Sequence, residues 1–420
     1  MRFKGNWGCG QCASVLAVLL ACSACGSSSD ASGNAAGAAG VRTSPSGGAG
    51  GAGAASGAGN VGQSGANGSA GAGTGQAGGT PASGDSPTIA GCAILPPNHL
   101  FNTPIDGLPA HGGSTDFMKA VGTHNIHLDL GVSVDPKSEE YYGIPYNVVH
   151  GKTIPWVNAA FTTTDSDLDW DPTEEADCAV GDAHTLASPC TKDKAPKPLF
   201  PIPATPLVEG GIDTDPTQPY ADHHILLLDA DTCTLWETYH SYPDPKGGWD
   251  IFGAAFFDLK SNALRPADWT SADAAGFPIL PLLLRADEAS SGTIKHALRF
   301  TIDSSKIRNE DTWPARHLTS NGTTSMALPP MGQAFRIKAS YVIPSSFNTQ
   351  SRAILQALKT YGVYLADGGS SMYIQGEPSA SWQDDTFGQV QSVSSSEFEA
   401  VDLSQIEQRA GFDPDSATVP

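Results

Sequence analysis

From residue 26 to residue 85 the chain has no aromatic side chain and only two acidic ones. Those 60 positions hold 20 Gly, 15 Ala and 10 Ser. So little apolar surface cannot offset the entropy of ordering, and residues 22–85 are expected to form a disordered linker. Basic side chains are scarce too: 23 Lys and Arg stand against 44 Asp and Glu, a formal net charge of −21. Nucleic acid is therefore not an expected partner, because its phosphates would be repelled. No stretch after residue 21 supplies the roughly 20 apolar residues of a membrane span. Several catalytic signatures are missing as well. The chain has no Gly-x-Ser-x-Gly elbow, Walker loop, dinucleotide glycine fingerprint or His-Glu-x-x-His helix. Serine esterase, nucleotide-dependent and zincin chemistries start low on that ground.

What is present at the N-terminus is an address. Arg2 and Lys4 precede the apolar run 13–21, which is too short to span a bilayer and suits a secretory signal. Leu19-Leu20-Ala21-Cys22 resembles a bacterial lipoprotein signal, with Cys22 as lipid acceptor and Cys25 as the second candidate. Residues 1–21 then leave as the signal peptide, and the product is an exported lipoprotein at the outer membrane or cell surface. A lipid anchor would be its one contact with the membrane.

Residues 86–420 carry 31 of the 33 aromatic residues, enough for a full core. Four cysteines lie there: Cys92, Cys178, Cys190 and Cys233. With no Cys-x-x-Cys pair, disulfides in an exported protein are preferred to a metal site, and Cys92–Cys233 with Cys178–Cys190 is the favoured pairing. Apolar residues alternate with period two over 224–229 and 233–240 (a hairpin), 248–258, 292–302 and 335–343. Residues 363–367 and 371–375 read as a last hairpin. Residues 349–361 have the cap and spacing of a helix, and shorter helices are expected at Ser114 and near Thr270. With 31 prolines, the pattern predicts an all-β, jelly-roll-like β-sandwich with a few short helices.

Candidate chemistry lies on those strands. Glu237 sits between Leu235 and Tyr239 by alternation, a costly place for a carboxylate without partners or a task. His296 shares a face with Ile294 and Leu298, as a core histidine or as a proton-transfer group. Lys295 and Arg299 point the other way and could form a basic rail with Arg336 and Lys338. Asp222-His223-His224 could ligate a metal or orient a base, though no second His pair lies at ligand spacing. Trp249, Tyr239, Arg316 and His317 are sugar-binding types. Asp165-Ser-Asp-Leu-Asp-Trp-Asp171 resembles the start of an EF-hand loop but has Trp170 where Gly is needed, leaving a looser structural calcium site or a solvated loop.

The segments 101–109, Asp222-His223, 235–237, Gly248-Trp249, 280–281, 296–298, 314–315 and 361–362 together resemble a set of secreted bacterial proteins of uncharacterised families. That resemblance implies one continuous domain from about Leu95 to Trp382 and singles out Asp222, Glu237, Trp249 and His296. The reading favoured is a surface-tethered glycoside hydrolase acting on a polysaccharide or oligosaccharide, without a cofactor. Glu237 would be one carboxylate, Asp222 or Asp250 the second, and His296 would tune the acid. Trp249, Tyr239, Arg299, Arg316 and His317 would bind sugar. The alternatives are a polysaccharide lyase, with His296 or Tyr373 as base and Arg299 or Arg336 on the uronate, and a non-catalytic glycan- or partner-binding lipoprotein.

Overall fold

The first strong local pattern, a run of four apolar residues ending in Asp229, builds the centre of the molecule. A computed structural model describes residues 86–138, 140–161, 174–190, 197–212, 222–319 and 322–420. It is mostly short strands in several sheets, with few short helices. Two sheets position the site. The first contains β2 (Tyr146–Val149), β3 (Ile225–Asp229), β4 (Thr234–Tyr239) and β5 (Gly253–Asp258), in the order β5-β4-β3-β2. The second contains β1 (His127–Asp129), β6 (Leu298–Ile302), β7 (Ala334–Ile337), β8 (Val363–Gly368), β9 (Tyr373–Gln375) and β10 (Phe398–Ala400), in the order β10-β7-β8-β6-β9-β1. Pairing is mixed: β2 with β3, β6 with β8 and β9 with β1 run parallel.

The β3–β4 hairpin is as expected, with Thr234 opposite Asp229. Its turn is held by Asp229, whose carboxylate accepts from Asp231 N, Gly151 N and the Thr232 hydroxyl. Alternation then sorts its side chains between two cores. Leu226, Leu228 and Leu235 enter the larger, whereas Ile225, Leu227 and Trp236 enter a smaller one. The smaller core is capped by a third sheet of six short strands, among them Val157–Ala160, Cys178–Val180 and Trp249–Asp250. The disulfides are Cys92–Cys233 and Cys178–Cys190, the pairing favoured from spacing and compartment.

Five sequence expectations need correction. The strand drawn over 292–302 begins only at Leu298, because Gly292 in the left-handed region closes a helix (α2, Ala286–Ser291, following α1, Ser114–Val121) that the alternation concealed. Residues 335–343 leave the sheet after Ile337, where Tyr341 N turns back to Lys338 O. Residues 248–258 divide between two sheets at Ile251-Phe252. The last hairpin does not pair with itself, because β6 lies between β8 and β9. No helix starts near Thr270; Ser271 Oγ instead bonds Phe277 O and Asp273 N in a tight loop. The helix α3 (Thr349–Thr360) is present, capped by Asn348 Oδ1 on Ser351 N.

Gly143 shows how closely the backbone packs beside β1. Its φ is +91°, and a Cβ there would lie 2.4 Å from Gly376 O. Gly143→Ala is expected to cost about 1–2 kcal/mol, from the left-handed conformation and the displaced carbonyl. A thermal melt of the variant checks it, and an unshifted transition would contradict this packing.

Candidate functional site

Three neighbouring strands of the second sheet set out a polar row. Gln375 on β9 is in register with Asp129 on β1, and its side chain works to lower the Asp129 pKa. Continuing the β6–β9 ladder from Phe300 and Ile374 brings Arg299 opposite Gln375. Asp367 joins the row through a bulge. The β6–β8 register shifts between Phe300 and Thr301, so Leu365 faces Phe300 but Asp367 faces Thr301. Without that extra residue, Asp367 would share the core face of Val363 and Leu365. Asp273, from the loop that replaces the expected helix, closes over the row and bonds Arg299 Nε through Oδ2 at 3.2 Å.

A second group of polar residues comes from the first sheet and the loop segments bonded to it. Asn147 on β2 clamps Leu207, with Nδ2 to Leu207 O at 2.9 Å and Leu207 N to Oδ1 at 2.8 Å. That fixes the segment leading to Glu209, whose N bonds His224 O. His224 stands just before β3. Its Nδ1 lies 2.6 Å from Glu209 Oε2 and its Nε2 2.8 Å from Ala272 O. Both partners are acceptors, so the arrangement suits a doubly protonated ring. Asp222, two residues earlier and solvent-exposed, is tied through its carbonyl to His240 N. His223 and His240 flank this contact with φ of 52° and 48°, strained values for residues other than glycine. Tyr239 packs its ring against both His224 and His240.

The electrostatics separate these groups into two kinds. Burial alone would discharge His224, but Glu209 and Asp222 overrule it and push it up to about 9. Burial likewise works against a Glu209 charge, and His224 reverses it, holding Glu209 below the usual carboxylate range. The other acids go the opposite way. Asp222 is raised as well, by desolvation among the groups packed around it and then by Glu209, although its own side chain reaches solvent. Burial and then Glu209 raise Asp129 to about 6, and burial and then Asp273 raise Asp367 to about 7. A carboxyl held below the usual range thus lies beside carboxyls raised above it, the separation on which acid–base chemistry depends. Glu209, Asp222 and His224 also present donor atoms within 4.8 Å of one another, a set able to hold a metal ion once His224 gives up one of its present bonds.

Of the residues singled out from sequence, Asp222, His224, Tyr239 and Arg299 come to this site. Glu237 does not: it is fully enclosed on the larger core side, where Oε1 accepts from Ile279 N and Leu280 N and Oε2 from Ile279 N, all at 2.9 Å. His296 is fully buried between Ala297 O and Glu288, and Glu288 also pairs with the buried Arg285. Trp249 packs in the smaller core, with Asp250 half-buried opposite Tyr242. Arg316 bonds Asp415 and Pro414 O, and His317 bonds Ala274 O. The basic rail is absent as drawn: Arg299 pairs with Asp273, Arg336 with Glu399, and Lys338 bonds Ser396 O. The calcium-like segment 165–171 lies outside the described residues. Sequence reasoning passed over Asp129, Glu209, Asp273 and Asp367; the Gly-Gly pairs following Glu209 and Asp367 were their one local signal.

No protein-family model, curated protein or solved structure matches the chain.

Proposed function

We propose that the protein is a surface-tethered glycoside hydrolase whose carboxylate pair is Glu209 and Asp222. The observation that carries this is an ionised Glu209, held by His224, with an oxygen within 4.8 Å of a solvent-facing Asp222 that is raised toward its protonated form. Hydrolysis of a glycoside needs one carboxyl to protonate the leaving oxygen and a second, ionised, to attack or to activate water. Asp222 serves as the acid and Glu209 as the nucleophile. His224 keeps Glu209 ionised and oriented, and Arg299 with Asp273 fixes the floor. Glu237 and His296 become structural in this reading.

The remaining parts of the proposal come from sequence. The substrate is a polysaccharide or oligosaccharide, the sheets form a jelly-roll-like sandwich to which parallel pairs have been added, and the acidic segment 165–171 is a candidate for structural calcium. Incubation with a panel of polysaccharides, read by reducing ends and by absorbance near about 235 nm, tests the chemistry. Reducing ends without an absorbance rise support hydrolysis; a rise means a lyase, and neither signal means a binding protein. Export through Cys22 has its own test. Fatty-acid labelling is expected in the wild type and lost in Cys22→Ser, whereas loss only in Cys25→Ser would move the anchor.

A further inference from the structure

His224 is supported in the way a metal-ligating histidine is supported. Its Nε2 meets Ala272 O at 2.8 Å, which fixes the ring and turns Nδ1 toward Glu209. A backbone carbonyl on the far nitrogen is the usual support of a coordinating imidazole. A ring nitrogen of His224 and one oxygen each of Glu209 and Asp222 lie within 4.8 Å of one another. Asp222 is exposed, so the set opens to solvent on its side. Two acceptors nearby are left over. Asp273 Oδ1 and Gln375 Oε1 are buried, on residues only 1% and 8% exposed, and neither has a hydrogen-bond partner among the described residues. Asp273 directly follows Ala272, and the His224 charge acts on its carboxyl. Gln375 pairs in register with Asp129, on which both Glu209 and Asp222 act. A buried acceptor is costly without a donor, and donors are scarce here. Five carboxyls, on Asp129, Glu209, Asp222, Asp273 and Asp367, crowd around two cations, Arg299 and His224.

We infer that Glu209, Asp222 and His224 bind a divalent transition-metal ion of the zinc type. One nitrogen and two carboxylate oxygens make a three-point protein set, and water takes the fourth place on the open Asp222 side. Little movement is needed. His224 Nδ1 and Glu209 Oε2 are 2.6 Å apart. Two ligands on one tetrahedral zinc stand about 3.3 Å apart, so the pair opens by roughly 0.7 Å. The Nδ1 proton leaves to solvent as that nitrogen takes the ion, and Nε2 keeps its bond to Ala272 O. Metal-bound water donates hydrogen bonds, which matches surroundings that hold leftover acceptors. The ion's charge also relieves the crowding of carboxyls. Calcium and magnesium prefer six or more oxygens, whereas this set is small and includes an imidazole. The inference stands apart from the hydrolase reading and adds a control to it. The ion takes the Asp222 oxygen that would carry the proton, so the loaded site lacks its acid and zinc inhibits.

The test titrates zinc chloride into full-length protein that has been stripped with EDTA and dialysed, followed by calorimetry. One ion per chain should bind with a Kd of about 1 μM or tighter. Cobalt(II) in its place should give the visible absorption of a four-coordinate site. Calcium and magnesium at about tenfold excess should not displace zinc. Asp222→Asn and Glu209→Gln should each weaken zinc binding by at least about tenfold, with circular dichroism melts establishing their fold. Asp222→Asn lies in solvent and stays readable even if Glu209→Gln loses its fold. No zinc binding, displacement by calcium, or equal binding to wild type and Asp222→Asn overturns the site; the last outcome puts the ion on other histidines. Reducing ends released by metal-free wild type and suppressed by zinc support both readings. Zinc binding with no release in either form sinks the hydrolase and leaves the metal site. Release without zinc binding does the reverse, and release undiminished with zinc bound overturns the competition for Asp222.

Discussion

Asp222→Asn should keep the fold and lower hydrolytic turnover by about 10²–10⁴-fold, the range of a lost general acid. The substitution preserves shape at an exposed position, so the melting temperature should move little. The pH profile gives a sharper reading than the rate alone. Activity requires Glu209 ionised and Asp222 protonated. With Glu209 held below the usual carboxylate range and Asp222 raised above it, kcat/KM in the wild type should be bell-shaped. Its acid limb reports Glu209, and its alkaline limb reports Asp222. In Asp222→Asn the alkaline limb should vanish while the acid limb stays. Glu209→Gln should be as inactive and should also release His224 from the state that Glu209 stabilises. An active Asp222→Asn, or one that keeps the alkaline limb, removes Asp222 from the role of acid.

What was legible beforehand was whatever is local or periodic. The β3–β4 hairpin announces itself through alternation and a polar turn, α3 through its cap and apolar spacing, and the cysteine pairing through the spacing of four cysteines without a Cys-x-x-Cys pair. Asp222 and His224 could be marked as chemistry because they adjoin a strand. Their partner Glu209 could not, because it lies in a loop without periodicity and is placed by Asn147, 62 residues earlier. Asp367 was hidden differently. Strict alternation from Val363 and Leu365 sends it to the core, and only the bulge opposite Phe300–Thr301 turns it toward Arg299. Asp129 was hidden because the β1–β9 pairing that brings it to Gln375 is parallel and spans most of the chain. Glu237 shows the converse error. Alternation placed its side chain with Leu235 correctly, but nothing local reveals that this face meets the backbone of Ile279 and Leu280 rather than an open cleft.

That position makes Glu237 the chain's clearest buried proton store, and the folded state should reveal it as pH rises. Burial lifts its pKa from an ordinary 4.5 to about 7, while the N–H groups of Ile279 and Leu280 pull only partly the other way. The folded chain therefore binds this proton more tightly than the unfolded chain. The resulting stability is complete below pH about 4.5 and is lost as pH climbs through about 7, a change on the order of 3 kcal/mol. Asp129, Asp367 and Glu377 are raised in the same sense, to about 6, 7 and 7, so the wild type should soften steadily between pH 5 and 8 by urea titration. In Glu237→Gln the amide oxygen can still accept from Ile279 and Leu280, but nothing titrates there. The variant is expected to be less stable than wild type at pH 5, because its amide N–H groups gain no buried acceptor. It should then lose less on going to pH 8, its curve flatter by about the amount given above. Activity per folded molecule should stay near wild type, since Glu237 faces neither Asp222 nor Glu209. Parallel pH curves for the two proteins would show that Glu237 holds no such proton. Lost turnover with unchanged stability would return it to the chemistry and displace the Glu209–Asp222 pair.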